Sequence, residues 1–155
     1  TRCSNNYGPY QYPEKLIPFF ISKLLKGEKV PLYGDGLNVR DWLYVYDHAS
    51  AIDTVLHFGK IGEVYNIGGH SEKTNLEIAH LILKAMNKDE NSIEFVADRL
   101  GHDRRYAISN DKILSLGWKP ETNFEQGIKM TIDWYLKNTQ WIKHIENKKK
   151  SEYFV

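Results

Sequence analysis

The sequence predicts a layered α/β fold, and three observations carry that prediction. Segments with helical periodicity alternate with short apolar runs of strand length. Polar capping residues precede the helical segments and glycines follow them. With 155 residues, 41% of them hydrophobic and 26% charged, the chain can bury one core of its own. No repeat or low-complexity linker marks a boundary inside it.

The elements follow in order. "PEKLIPFFISKLLKG" (13–27) puts Leu16, Phe20 and Leu24 on one helical stripe with Ile17, Ile21 and Leu25 beside it; Pro13 suits its start and Gly27 its end. "EKVPLYGDG" reads as a short strand closed by a Gly-Asp-Gly turn, and "DWLYVY" (41–46) as a second strand. Asp47 is expected to cap a helix, "DHASAIDTVLHFG", that stops at Gly59. "EVYNIGG" has the character of a buried strand ending in two glycines. Thr74 and Glu77 form a capping box ahead of the helix "NLEIAHLILKAM". "SIEFVAD" is a strand, and Ser109 caps a short helix, "NDKILSLG", ended by Gly117. Thr122 and Glu125 read as a further capping box, opening a long helix with Phe124, Ile128, Ile132 and Tyr135 on one face.

Composition narrows the function classes. A formal net charge of +1 supplies no general attraction for nucleic acid or anionic lipid. No apolar run approaches the ~20 residues of a membrane span, and "TRCSNNYGPY" carries no signal pattern. The single Cys3 cannot form an internal disulfide, which suits a reducing, cytoplasmic setting. Lys148, Lys149 and Lys150 read as a solvated helix end. The chain opens on Thr1 in a turn-rich segment with no element leading into it, so it reads as the interior of a longer chain.

Chemistry concentrates in "ADRLGHDRRYAIS" (97–109). His102 has no histidine or cysteine at metal-ligand spacing, which argues against zinc. Asp98 and Asp103 offset two of the arginines, and no basic stripe continues beyond them, which argues against nucleic acid. Composition alone favours a surface cluster of ion pairs. The position of the stretch, a glycine-containing loop directly after a strand, favours ligand binding instead. Arginine forks also match phosphate oxygens. Partners for such a clamp stand elsewhere: Arg40 before a strand, Lys15 opening a helix, Asn5 and Asn6 in a turn, and Asn75 at a helix start. Tyr7, Tyr10, Tyr33 and Trp42 are candidates to stack on a base or sugar. Together these residues describe a pocket for a phosphorylated molecule with hydroxyls and an aromatic base.

Catalytic patterns are missing. None of the 10 tyrosines has lysine four residues later, and neither G-x-G-x-x-G nor G-x-S-x-G occurs. Asp89-Glu90 reads as a solvated turn, not an acid/base pair.

The segments "TRCSNNYGPYQYPEKLIP", "PLYGDGLNVRDWLYVYDHASAI", "YNIGGHSEKTNLEI" and "DRLGHDRRYAISNDKILSLGWKP" resemble, in that order, the dTDP-glucose 4,6-dehydratase family of the extended short-chain dehydrogenase/reductase superfamily. The resemblance runs from Thr1 to about Trp141; "GHDRRYAI" and "NNYGPYQYPEKLIP" are its more specific parts, "RDWLYV" the more widely shared. It implies the C-terminal part of a Rossmann-type NAD(P)-binding fold, with the small α/β substrate-binding lobe. Residues 1–155 would be one region, with the NAD-binding segment outside this chain. In the family, bound NAD oxidises C4 of the glucose, water leaves across C5 and C6, and hydride returns to C6. The product is dTDP-4-keto-6-deoxyglucose, made for deoxysugar biosynthesis by a homodimeric enzyme.

The family's catalytic tyrosine, lysine and acid pair fall outside the matched stretch. No catalytic residue and no metal ligand is therefore assigned here, and the chain by itself is expected to be inactive. The resemblance implies substrate contact at Asn5 and proximity of Asn6 to the nicotinamide end of NAD. It implies that Lys15 and Leu16 line the sugar-nucleotide pocket and that Pro31 and Tyr33 flank the thymine. Arg40 and Asn75 would address phosphate and ribose, and Arg99 and His102, within Asp98 to His102, would close over the nucleotide. Arg104 and Arg105 would pair with nearby acids, and Leu100 departs from the proline of many relatives. A nucleotide-sugar 4-epimerase or decarboxylase, and a non-catalytic nucleotide-sugar-binding module, are the competing readings.

Overall fold

A computed structural model describes residues 1–152, with side chains as far as Lys148. Its elements are β1 (Arg2–Cys3), β2 (Asn5–Tyr7), α1 (Leu16–Leu25), β3 (Val30–Tyr33), β4 (Val39–Tyr44), α2 (Val45–Phe58), β5 (Asn66–Ile67), β6 (Glu72–Thr74), α3 (Asn75–Ala85), β7 (Ile93–Val96), β8 (Arg105–Tyr106), α4 (Asp111–Leu114), α5 (Phe124–Lys137) and α6 (Thr139–Glu152). The predicted α/β alternation is therefore present.

Strand β4 organises the fold. Its C-terminal half pairs parallel with β2, in the register Asn5 to Trp42 and Tyr7 to Tyr44. Its N-terminal half pairs antiparallel with β6 and parallel with β8, where Val39 meets Arg105 and Arg40 meets Tyr106. Separately, β1 pairs with β5 and β3 with β7, both parallel. Alternate residues of β4 feed two cores. Trp42 and Tyr44 join the larger one, with Ile17 and Ile21 of α1, Ile82 of α3 and Ile132 of α5. Leu43 joins the smaller one, with Ala51, Ile67, Ile113 and Trp118. A strand covered on both faces carries a continuous apolar run, which is how "WLYV" reads.

The capping box of Thr74 and Glu77 forms as expected: Thr74 Oγ1 accepts from Glu77 N at 3.1 Å, and Glu77 Oε2 accepts from Thr74 N at 2.7 Å. Other boundaries are corrected. The strand "DWLYVY" ends at Tyr44, which is itself the N-cap of α2, so Asp47 lies in the first helical turn. The Asp47 carboxylate instead accepts from the backbone N–H groups of Glu121 (3.3 Å) and Thr122 (3.0 Å). Nor is Thr122 the cap of α5; Asn123 is, accepting from Gln126 N at 2.8 Å. Asn110, not Ser109, is the N-cap of α4, although the Ser109 hydroxyl accepts from Asp111 N at 3.2 Å. "EVYNIGG" shrinks to the two residues of β5.

The glycines after β5 have a steric cause. A Cβ on Gly69 would lie 1.8 Å from the Trp42 carbonyl oxygen, so only glycine lets the chain pass β4 this closely. Asp41 fixes the passage by accepting from Gly69 N at 2.9 Å and Ser71 N at 2.7 Å. Among the described residues no helix is long and apolar enough to cross a membrane. The lysine run lies on α6, with the side chains of Lys149 and Lys150 outside the described residues.

Candidate functional site

The site is built around Arg40. Sequence pattern put it ahead of a strand; it is the second residue of β4, and it is 7% exposed. Its Nη1 donates to Val39 O at 2.7 Å and its Nη2 to Asp103 O at 2.9 Å. No ion pair among the described residues includes it. A buried guanidinium hydrogen-bonded only to carbonyls has its positive charge without a counter-ion among the described residues, which is unfavourable unless an anion arrives.

Two cavities meet here. The first, about 420 Å³, is lined by Asn5, Leu16, Arg40, Trp42, Asn75 and the loop Arg99 to Asp103, with Tyr106 at its side. The second, also about 420 Å³, is lined by Lys15, Pro31, Tyr33 and Phe19 among others. Leu16, Asn75, Arg99 and His102 line both, so the cavities are neighbours across a shared wall. Asn5, Lys15, Leu16, Pro31, Tyr33, Arg40, Asn75, Arg99 and His102, singled out from sequence, thus converge on one place. Asn75 does not cap its own helix, since Thr74 does that. Its Oδ1 and the Trp42 Nε1 are buried without a hydrogen-bond partner.

The loop after β7 has an internal order that charge counting does not reveal. Arg99 Nη2 approaches His102 Nε2 at 3.0 Å, and His102 Nδ1 approaches Asp98 Oδ1 at 2.6 Å. Hydrogen bonds from the His102 ring and the Arg99 backbone N–H hold the Asp98 carboxyl below its usual range. The Arg99 guanidinium lies over the Tyr33 ring, 5.0 Å from its centroid. Gly101, at φ +70°, makes the turn that folds His102 back toward Arg99. Arg104 and Arg105 take the bland role expected of them. Arg104 bonds both oxygens of Asp35 (2.8 and 3.0 Å), and Arg105 those of Glu72 (2.9 and 2.5 Å).

Some residues lie elsewhere. Asp98 lines neither cavity and acts through His102. Tyr7 is buried in the larger core, where it cannot stack on a ligand, and Tyr10 packs against Trp134. Asn6 lines neither cavity: Nδ2 donates to Ser4 O at 3.1 Å and Oδ1 meets His48 Nδ1 at 2.8 Å. Desolvation lowers the His48 pKa, favouring the neutral ring that donates to Asn6. Both ends of the Asn6 amide thus make a contact within the chain, and the sequence holds no glycine-rich dinucleotide loop.

Sequence reasoning missed Tyr106 and the Asp103 carbonyl. Tyr106 reaches the first cavity from the two-residue strand β8, too short to leave a periodic signal, and Asp103 from the loop just before it. Chemically the arrangement offers guanidinium groups, an ammonium, amides and an aromatic face. It is equipped to bind charge; the imidazole–carboxylate pair within it, His102 and Asp98, is spent on holding Arg99.

Comparison with known proteins yields a consistent set. The family model described as GDP-mannose 4,6 dehydratase matches residues 1–131. A dTDP-glucose 4,6-dehydratase of Shigella flexneri is 53% identical over 155 residues, covering 95% of this chain and 43% of the relative. The crystal structure of a dTDP-glucose 4,6-dehydratase from Bacillus anthracis, in complex with NAD, superposes with a TM-score of 0.88 at 58% identity, over 93% of this chain and 46% of that one. A UDP-glucose 4-epimerase of Thermotoga maritima, solved with UDP-glucose, gives 0.82 at 31% identity, over 89% and 45%. The chain therefore spans less than half the length of the proteins it resembles.

Proposed function

Since the chain belongs to the GDP-mannose 4,6 dehydratase family, we propose that it forms the sugar-nucleotide-binding part of a dTDP-glucose 4,6-dehydratase. In this reading the whole protein is a hydro-lyase that converts dTDP-glucose to dTDP-4-keto-6-deoxyglucose with bound NAD, for deoxysugar biosynthesis. One observation carries it: the buried, counter-ion-free Arg40 on the wall of a cavity that adjoins Tyr33 and Arg99. A diphosphate supplies the missing negative charge, and a base reaches the aromatic face beyond it.

The roles then distribute along the two cavities. Arg40 and Asn75 address the phosphates and ribose, while Asn5 contacts the sugar. Lys15 and Leu16 line the passage, and Pro31 and Tyr33 flank the thymine. Arg99 and His102 close over the nucleotide, with Asp98 setting the His102 ring. NAD is assigned mainly to the counterpart of that part of the relatives lying outside the matched stretch, with Asn6 near its nicotinamide end. The whole protein is a cytoplasmic homodimer with no nucleic-acid or membrane partner. This chain alone binds without turnover.

Calorimetry with the purified chain should detect thymidine diphosphate. The NAD-loaded whole protein should remove one water from dTDP-glucose, read by mass spectrometry. A C4 epimer of unchanged mass would overturn the assignment in favour of the second reading, a 4-epimerase, which the likeness to the Thermotoga enzyme supports.

A further inference from the structure

Tyr106 and Arg40 are register partners on the paired strands β8 and β4. The Arg40 Cζ lies 4.4 Å from the centroid of the Tyr106 ring, within cation–π range. The carbonyls of Val39 and Asp103 hold the guanidinium through its N–H groups, and the Tyr106 ring covers one of its faces. The guanidinium has five N–H donors, so others remain for a ligand. A two-residue strand does not fix its own register, so β8 depends on what flanks it. Val39 N donates to Arg104 O at 2.8 Å. Arg104 is clipped to Asp35 in the turn after β3, and Arg105 to Glu72, the partner of Asp41 in the β4–β6 register. The two surface ion pairs thus anchor the two residues just before Tyr106, the position set against Arg40.

We propose that Tyr106 is a positioning residue, whose ring holds the Arg40 guanidinium ready for an anionic ligand in the first cavity. The inference rests on the reading above, in which that ligand carries phosphate. Tyr106 acts through its face, not its hydroxyl, and Asp35 and Glu72 act on the same arginine at one remove, through the register of β8.

The test uses the 155-residue chain with Tyr106→Phe, Tyr106→Leu, Arg40→Ala, the double variant Tyr106→Leu with Arg40→Ala, and a pair variant, Asp35→Asn with Glu72→Gln. Two readouts are taken: rotation of the Arg40 side chain about Nε–Cζ by nitrogen-15 NMR without ligand, and calorimetric affinity for thymidine diphosphate and for thymidine. Tyr106→Phe should keep slow rotation and an affinity within about twofold, while Tyr106→Leu should free the rotation and weaken thymidine diphosphate by about tenfold. Thymidine affinity should not change, Tyr106→Leu should add nothing in the Arg40→Ala background, and the pair variant should shift rotation and affinity in the same direction as Tyr106→Leu. The proposal is overturned if Tyr106→Phe loses as much as Tyr106→Leu, which would make the hydroxyl the contact. Additivity with Arg40→Ala, or rotation unchanged in Tyr106→Leu, would overturn it too. If the unaltered chain binds no thymidine diphosphate, the nucleotide-sugar reading fails, and the ligand-free rotation still decides whether Tyr106 positions Arg40.

Discussion

Arg99 Nη2 lies 3.0 Å from His102 Nε2, and that contact dictates where the imidazole proton sits. A guanidinium only donates, so Nε2 must present a lone pair. The proton then belongs on Nδ1, facing Asp98 Oδ1 at 2.6 Å. Asp98 therefore orients Arg99 through a ring, without touching its guanidinium.

Nitrogen-15 shifts of His102 should accordingly show a protonated Nδ1 and a bare Nε2 at mildly alkaline pH. His102→Leu should abolish the ordering of Arg99 and weaken thymidine diphosphate by about 1 kcal/mol, the net value of a typical hydrogen bond. An Nε2-protonated ring would contradict the arrangement.

Arg40→Ala and Arg99→Ala should each weaken thymidine diphosphate by about 1.5–3 kcal/mol, the range for hydrogen bonds to charged groups. Arg40→Lys should rescue little, because an ammonium cannot bond two carbonyls in one plane and stack on Tyr106 as well. Arg104→Ala and Arg105→Ala break exposed, solvent-screened pairs and should each change stability little. Calorimetry and denaturant titration of the same variants separate these classes. A loss at Arg40 no larger than at Arg104 would place Arg40 outside the binding surface.

How far the sequence foretold this site depends on the length of the signal each residue had. Lys15, Leu16 and Asn75 open helices whose periodicity is plain, so their placement was legible. The strand that the sequence predicts, "DWLYVY", begins after Arg40, whereas β4 includes it. In fact Arg40 and Asp41 are buried on opposite faces, one covered through Asp103 and Tyr106, the other bonded to Gly69 and Ser71. Those covers come from about 28 to 66 residues downstream, beyond any local pattern. Asp47 misled for a similar reason: a carboxylate at a helix start looks like a cap, and only the fold brings Glu121 and Thr122 to it. The proposed ligand rests on the family motifs, which no periodicity reveals.

Acid should loosen the loop from Asp98 to Tyr106. Asp98 is held below its ordinary pKa chiefly by the His102 hydrogen bond, Asp35 by Arg104 and Glu72 by Arg105. A carboxyl whose folded pKa is depressed contributes order above its unfolded value and loses it as pH falls through the folded one. The carboxylates' share of that order should therefore begin to be lost near the ordinary carboxylate value of ~4 and fall further below it. Proteolysis within residues 98–106 and thymidine diphosphate affinity, followed from neutral to acid pH, should change together in that window. Since these carboxylates are exposed, high salt should mute the effect. Loosening that begins in the alkaline range would point to another group.

Gly69 offers the sharpest steric test, because two kinds of glycine can be compared in one chain. A Cβ at Gly69 would meet the Trp42 carbonyl oxygen at 1.8 Å and its carbon at 2.6 Å, both backbone atoms that no rotamer change can move. At Gly27 a Cβ meets nothing within 4 Å, and only the φ of +73° resists it. Gly27→Ala should therefore cost about 1–2 kcal/mol, the left-handed backbone penalty, and leave ligand binding intact. Gly69→Ala should cost ~3 kcal/mol or more, the upper end of overpacking. It should also weaken thymidine diphosphate, because the strand it displaces carries both Trp42 and Arg40 into the first cavity. Denaturant melts with parallel calorimetry read both effects. Equal costs at the two glycines would mean that β4 yields to Gly69, and that the cavity wall is softer than its hydrogen bonds imply.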